Sequence, residues 1–82
     1  MGRKEYKRTV RLNIARYRKE KNYSQEQLSE MIGKNTEYIA QMEGENSRSF
    51  PSSVAMMDIA DALEVPLYLL YVREEDLDST QG

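Results

Sequence analysis

Residues 23–43 read Tyr23-Ser-Gln-Glu-Gln-Leu-Ser-Glu-Met-Ile-Gly33-Lys-Asn-Thr-Glu-Tyr-Ile-Ala-Gln-Met-Glu43, and the rest of the chain is organised around this stretch. Ser24 suits an N-cap and Gln27 follows three residues later, so the two form a capping box that sets where a helix begins. Leu28, Met31 and Ile32 recur at helical spacing, which puts them on one apolar face. Gly33 ends that helix, because a residue tolerant of positive φ turns the chain without steric cost. Asn35 caps a second helix over 36–43, with Ile39 and Met42 as its buried side. Thr36, Glu37, Tyr38 and Gln41 are left facing outward. These side chains form hydrogen bonds and touch methyl groups, as reading a DNA major groove requires.

The stretch resembles the helix-turn-helix of the lambda-repressor and Cro-like family, the xenobiotic-response-element type, and the likeness extends from about Val10 to Tyr71. It is carried by residues 18–25 leading in, Gly33 at the turn, Ile39 and Met42-Glu43 closing the second helix, Pro51-Ser52, and residues 59–67. The resemblance implies an all-α, five-helix DNA-binding domain that acts as a sequence-specific transcriptional regulator. It further implies that Gln25 bonds a DNA phosphate and that Arg18 pairs with Glu43. The segment from Gly44 to Phe50 departs from the pattern: it is about two residues longer than is usual, and Arg48 is its only base. Glu64 stands where the family often has glycine, so the helix end there needs a different cap.

Composition narrows the function further. Eighty-two residues make one small domain. Without cysteine there is no disulfide framework or thiolate metal site, and a reducing cytoplasmic setting is expected. Histidine is also absent, which removes the commonest general base and metal ligand. With no phosphate-cradling glycine loop either, no catalytic constellation can be named, and neither an enzyme nor a cofactor is expected. A small-molecule ligand is likewise not expected. The longest apolar run, Val65 to Val72, is too short to span a bilayer, so no membrane role is expected.

A net charge of −2 looks unsuited to nucleic acid, but the charge is unevenly placed. Residues 1–21 hold nine Lys or Arg against Glu5 and Glu20, or +7, while residues 22–82 hold Lys34, Arg48 and Arg73 against twelve acids, or −9. A phosphate backbone meets the local field, not the total. The same residues also suit the solvated face of a charged amphipathic helix.

Taken in order, residues 1–8 read as a flexible basic arm, which can follow a groove or simply fray. Residues 9–72 form the domain and 73–82 an acidic disordered tail. Thr9 caps a first helix with Val10, Ile14 and Tyr17 inward and Arg11, Arg16 and Lys19 outward, and Asn22 ends it. Arg18 suits either the ion pair with Glu43 or a direct phosphate contact. Gln25 lies in the first turn of the second helix, where the macrodipole favours an anion.

For base contacts, Gln41 can pair with adenine, Glu37 can accept from cytosine, Thr36 offers a methyl to thymine, and Tyr38 reaches a thymine methyl or a phosphate. Asn35, Lys19, Lys34 and Arg48 complete the expected phosphate contacts. A fourth helix starts at Pro51 or Ser52 with Val54, Met56, Ile59, Ala60 and Leu63 inward.

A fifth helix begins near Pro66, where five consecutive large side chains cannot all enter one small core. Leu67, Leu69, Leu70 and Tyr71 are the expected homodimer contact, or else an aromatic rim within the monomer. The functional expectation is a homodimer on double-stranded DNA. The alternative is a helix-turn-helix fold used as a protein-interaction module, of antitoxin or assembly type.

Overall fold

Val10, Ile14 and Tyr17 recur at helical spacing, and the segment that carries them is the long helix α1, Arg3–Glu20, against which the third and fourth helices and the 3-10 segment after them pack. The computed structural model describes residues 2–45 and 48–77, with the side chains of Arg3 and Lys4 left out; Met1, Asn46, Ser47 and the end of the acidic tail, 78–82, lie outside the described residues. Helices α2 (Gln25–Met31), α3 (Tyr38–Glu43) and α4 (Ser53–Leu63) follow, then two short 3-10 helices, Leu67–Tyr71 and Glu74–Asp76. There is no strand among the described residues.

The first helix starts at Arg3, six residues before the expected Thr9 cap, so residues 3–8 are helical where a flexible arm was expected. Aromatic contacts distant in sequence explain the extension. Tyr6 stacks on Tyr71 with centroids 5.3 Å apart and meets Phe50 at 5.6 Å. Local periodicity could not show this, because Phe50 and Tyr71 lie 44 and 65 residues further along the chain. Asn22 ends the helical run at φ 61, a conformation that asparagine tolerates better than most residues.

The Ser24–Gln27 capping box forms with both of its hydrogen bonds, and Gly33 turns the chain at φ 74. Helix α3 begins at Tyr38, two residues later than expected. Asn35 holds Thr36 and Glu37 in a preceding turn, accepting the Glu37 N–H on its side chain at 3.2 Å. Ser52 caps α4, its Oγ accepting from the Ala55 N–H at 3.2 Å, which leaves Pro51 outside the helix. Glu64 takes the left-handed conformation itself at φ 58. The Val65 and Glu64 N–H groups then close on Ala60 and Asp61, a Schellman-type end that offsets a backbone cost of about 1–2 kcal/mol.

The expected fifth helix is a 3-10 helix. Asn13 accounts for it: its Nδ2 donates to the carbonyls of Leu69, Leu70 and Val72 at 3.3, 2.9 and 2.8 Å, so a side chain satisfies groups that a continuing α-helix would have bonded itself. Of the five large side chains there, Leu70 is wholly buried and Leu69 and Tyr71 pack on the core, while Leu67 and Tyr68 are exposed. Leu70 is therefore a core residue and not a dimer contact.

The core joins Val10, Ile14 and Tyr17 to Leu28, Ile39, Met56, Ile59, Ala60, Leu63 and Leu70. Burying each large aliphatic here contributes roughly 1.5–3 kcal/mol. Two residues expected inward lie outside: Met31 is 50% and Val54 62% exposed, while Leu28 and Ile59 of the same helices are fully buried in the core. Arg11, expected outward, is buried. Its guanidinium donates to the Gly44 carbonyl and, at 2.8 Å, to the Ser49 carbonyl, tying the loop after α3 to α1. Arg16 likewise turns back, over the Tyr17 ring and onto Asn13 Oδ1 at 3.0 Å. The start of the acidic segment is also ordered: Arg73 pairs with Asp76 at 2.8 Å and with Glu75 at 3.5 Å.

Candidate nucleic-acid interface

Ser29 sits on the buried side of α2, and its hydroxyl donates to the Gln25 carbonyl at 2.8 Å while accepting the Ile39 N–H at 3.0 Å. A backbone donor in the first turn of α3 thus finds its partner on α2, which fixes the angle between the two helices. Ser29 was not legible as a site residue. The one signal is a small hydroxyl in register with the apolar positions Leu28 and Ile32.

The far end of α3 is held by charge. Arg18 donates from Nε and Nη2 to the two oxygens of Glu43 at 2.7 and 3.0 Å, and its Nη1 reaches the Tyr23 carbonyl at 2.8 Å. The pair is largely withdrawn from water, with side-chain exposures of 11% and 8%. Gln25 joins it, donating from Nε2 to Glu43 Oε1 at 2.9 Å. One buried carboxylate therefore connects α1, the first residue of α2 and the last of α3.

With both ends fixed, α3 presents a defined outer surface. Ala40 and Gln41 are exposed on the helix, and Asn35, Thr36 and Glu37 stand exposed in the turn before it. Tyr38 differs from the other three expected base readers: it is half-buried and packs on the core, and the Lys34 ammonium lies over its ring at 5.3 Å. Burial raises the Tyr38 hydroxyl above the ordinary tyrosine pKa of 10.0. Of the expected phosphate contacts, Lys19, Lys34 and Arg48 are exposed and Gln25 is half-buried.

The basic segment is less available than its charge suggests. Arg11 and Arg18 hold α3 and its following loop, Arg16 lies 3.7 Å from Glu74, and Lys21 pairs with Glu64 at 3.0 Å. Lys7, Arg8 and Lys19 remain exposed along α1, Lys7 lying 5.5 Å from the Phe50 ring. No helix among the described residues is long and apolar enough to cross a membrane.

Comparison with known proteins agrees with this geometry. The crystal structure of a hypothetical transcription factor, NHTF, from Neisseria superposes with a TM-score of 0.84 over 98% of this chain and 91% of that chain, at 21% sequence identity. At that identity the likeness speaks for a shared fold. No protein of curated function matches the sequence. A family model described as a helix-turn-helix domain matches residues 13–75, a span that holds the α2–turn–α3 unit and the Arg18–Glu43 pair that fastens it. With its model covering most of the chain, the helix-turn-helix domain family is the one to which this protein belongs.

Proposed function

We propose that the protein is a sequence-specific DNA-binding transcriptional regulator of the lambda-repressor and Cro-like type, acting as a cytoplasmic homodimer on double-stranded DNA and having no catalytic role. The observation that carries this reading is the Arg18–Glu43–Gln25 network. It holds the start of α2 and the end of α3 in one rigid frame, with Thr36, Glu37 and Gln41 exposed between them. In this reading segment 36–43 enters the major groove. Gln41 pairs with adenine, Glu37 accepts from cytosine, and Thr36 meets a thymine methyl. Gln25 keeps a second amide hydrogen for a phosphate while the first is held by Glu43. Lys19, Lys34, Asn35 and Arg48 supply further backbone contacts. Tyr38, half-buried, acts at the edge of the surface.

Selection from a random duplex library tests the reading, followed by fluorescence anisotropy of the selected and a scrambled duplex at two salt concentrations. Each neutralised phosphate contributes about 0.9 to the log-log salt slope. Tight, salt-dependent binding to a palindrome with a wide margin over the control is the expected result. Weak binding to both duplexes would favour the alternative, a protein-interaction module. One observation supports that alternative: Val54 and Met57 on α4 and Met31 on α2 are 62%, 48% and 50% exposed.

A further inference from the structure

Helix α1 is covered on one side only. Arg11 and Arg18 reach the Gly44–Ser49 loop and Glu43 from one face. Glu5, Thr9, Leu12 and Arg16, spaced four, three and four residues apart, run along the opposite face. With Arg8 and Asn13 they form one wall of an open groove of ≈ 690 Å³. Arg73, Glu74 and Glu75 form the other wall. Leu12 is 53% exposed here, although Val10 and Ile14 on either side of it are fully buried. The stripe runs acid, hydroxyl, leucine, arginine, an order that becomes complementary to itself when reversed.

We infer that this groove is the docking face for a second copy of the chain, with α1 lying antiparallel on α1 about a two-fold axis between Thr9 and Leu12. Reversal about that point sets Glu5 against Arg16 of the second copy and Thr9 against its Leu12. Every contact occurs twice, as an isologous interface requires. Leu12 leaves water at the centre, and at each end Glu5 meets the Arg16 guanidinium of the other copy, a side chain 20% exposed that also reaches Asn13 and Glu74. A partner of uniform charge could satisfy only one end of the stripe. The 3-10 segment exposes Leu67 and Tyr68 but has no basic side chain to pair with an acid, and there Leu70 is buried and Tyr71 stacks on Tyr6.

The inference rests on the homodimer in the proposed function but not on DNA binding. It is tested without DNA, so the two can fail separately. Sedimentation equilibrium should show the wild type as a dimer. Glu5→Arg alone and Arg16→Glu alone each place like charges at both ends and should weaken association roughly tenfold or more. Equimolar mixing of those two variants should restore a dimer, since each copy then meets charges opposite to its own.

Arg16 also touches Asn13 and Tyr17, so its replacement can disturb the fold. Leu12→Asp, at an exposed position, is the second variant and should be monomeric with unchanged helical circular dichroism. A monomeric wild type overturns the assignment, as does a dimer that persists in both Glu5→Arg and Leu12→Asp.

Discussion

Gln25 and Glu43, the first residue of α2 and the last of α3, are joined by a 2.9 Å hydrogen bond from the amide nitrogen to the carboxylate. The same carboxylate takes two hydrogen bonds from Arg18. The side chain proposed to meet a phosphate is thus oriented by the residue that closes the proposed recognition helix. Glu43 is charge-compensated inside the protein, so its carboxylate is not set against the DNA backbone.

The network should behave as a unit. Glu43→Ala leaves the Arg18 guanidinium largely buried without its partner and should cost about 3 kcal/mol of stability. Arg18→Met combined with Glu43→Leu removes both charges and should cost clearly less than the two single changes summed. Urea denaturation of the wild type, Glu43→Ala, Arg18→Met, Glu43→Leu and the double variant measures this, and simple additivity would mean that the pair is uncoupled.

Positioning and reading should separate in DNA binding. Gln25→Ala is expected to weaken binding to all duplexes by a similar factor, whereas Gln41→Ala should change the preferred base at one position in each half-site. Anisotropy titrations against a panel of single-base variants distinguish the two. Uniform loss for both would remove Gln41 from base recognition.

The 3-10 segment should divide by burial. Leu70→Ala opens the core and should cost about 2–5 kcal/mol, visible as a large fall in Tm. Tyr71→Ala loses the stacking on Tyr6 and should also lower Tm. Tyr68→Ser, on a side chain 61% exposed, should stay within about 0.5 kcal/mol of wild type. A large loss at Tyr68 would show that this segment is covered in solution.

Stability should be flat near neutral pH, where the absence of histidine removes the usual titrating group, and should fall in alkali. Burial raises the Tyr38 hydroxyl above 10.0, and burial together with the neighbouring Tyr6 raises that of Tyr71. A group whose pKa is higher in the folded protein stabilises fully below its unfolded value. That contribution is lost as pH rises from about 10 through the folded value. Thermal melts between pH 7 and 11 should show the decline beginning near 10, and Tyr38→Phe should reduce it. A decline starting near neutrality would point to other groups.

Features confined to a turn or two of chain could be read directly from the residues. Ser24 and Gln27 specify the start of α2, Asn22 and Gly33 adopt the positive φ that their types favour, and Leu28, Ile39, Ile59 and Leu63 enter the core at helical spacing. These depend on neighbours that the sequence itself places side by side. Arg18 and Glu43 could be paired in advance only through the family resemblance.

Which edge of an apolar stripe is covered, and which charges are consumed, depended on elements far apart in the chain. Met31 and Val54 are left in water although they lie on the apolar stripes of α2 and α4. Arg11, Arg16 and Asn13 turn inward because loop carbonyls, an aromatic ring and the 3-10 segment come within reach only after folding. Tyr6 extends α1 to Arg3 by stacking on Tyr71. Net charge can be summed from residue types. Whether a cation is held inside or left to meet a phosphate depends on which carbonyls and carboxylates the fold brings beside it.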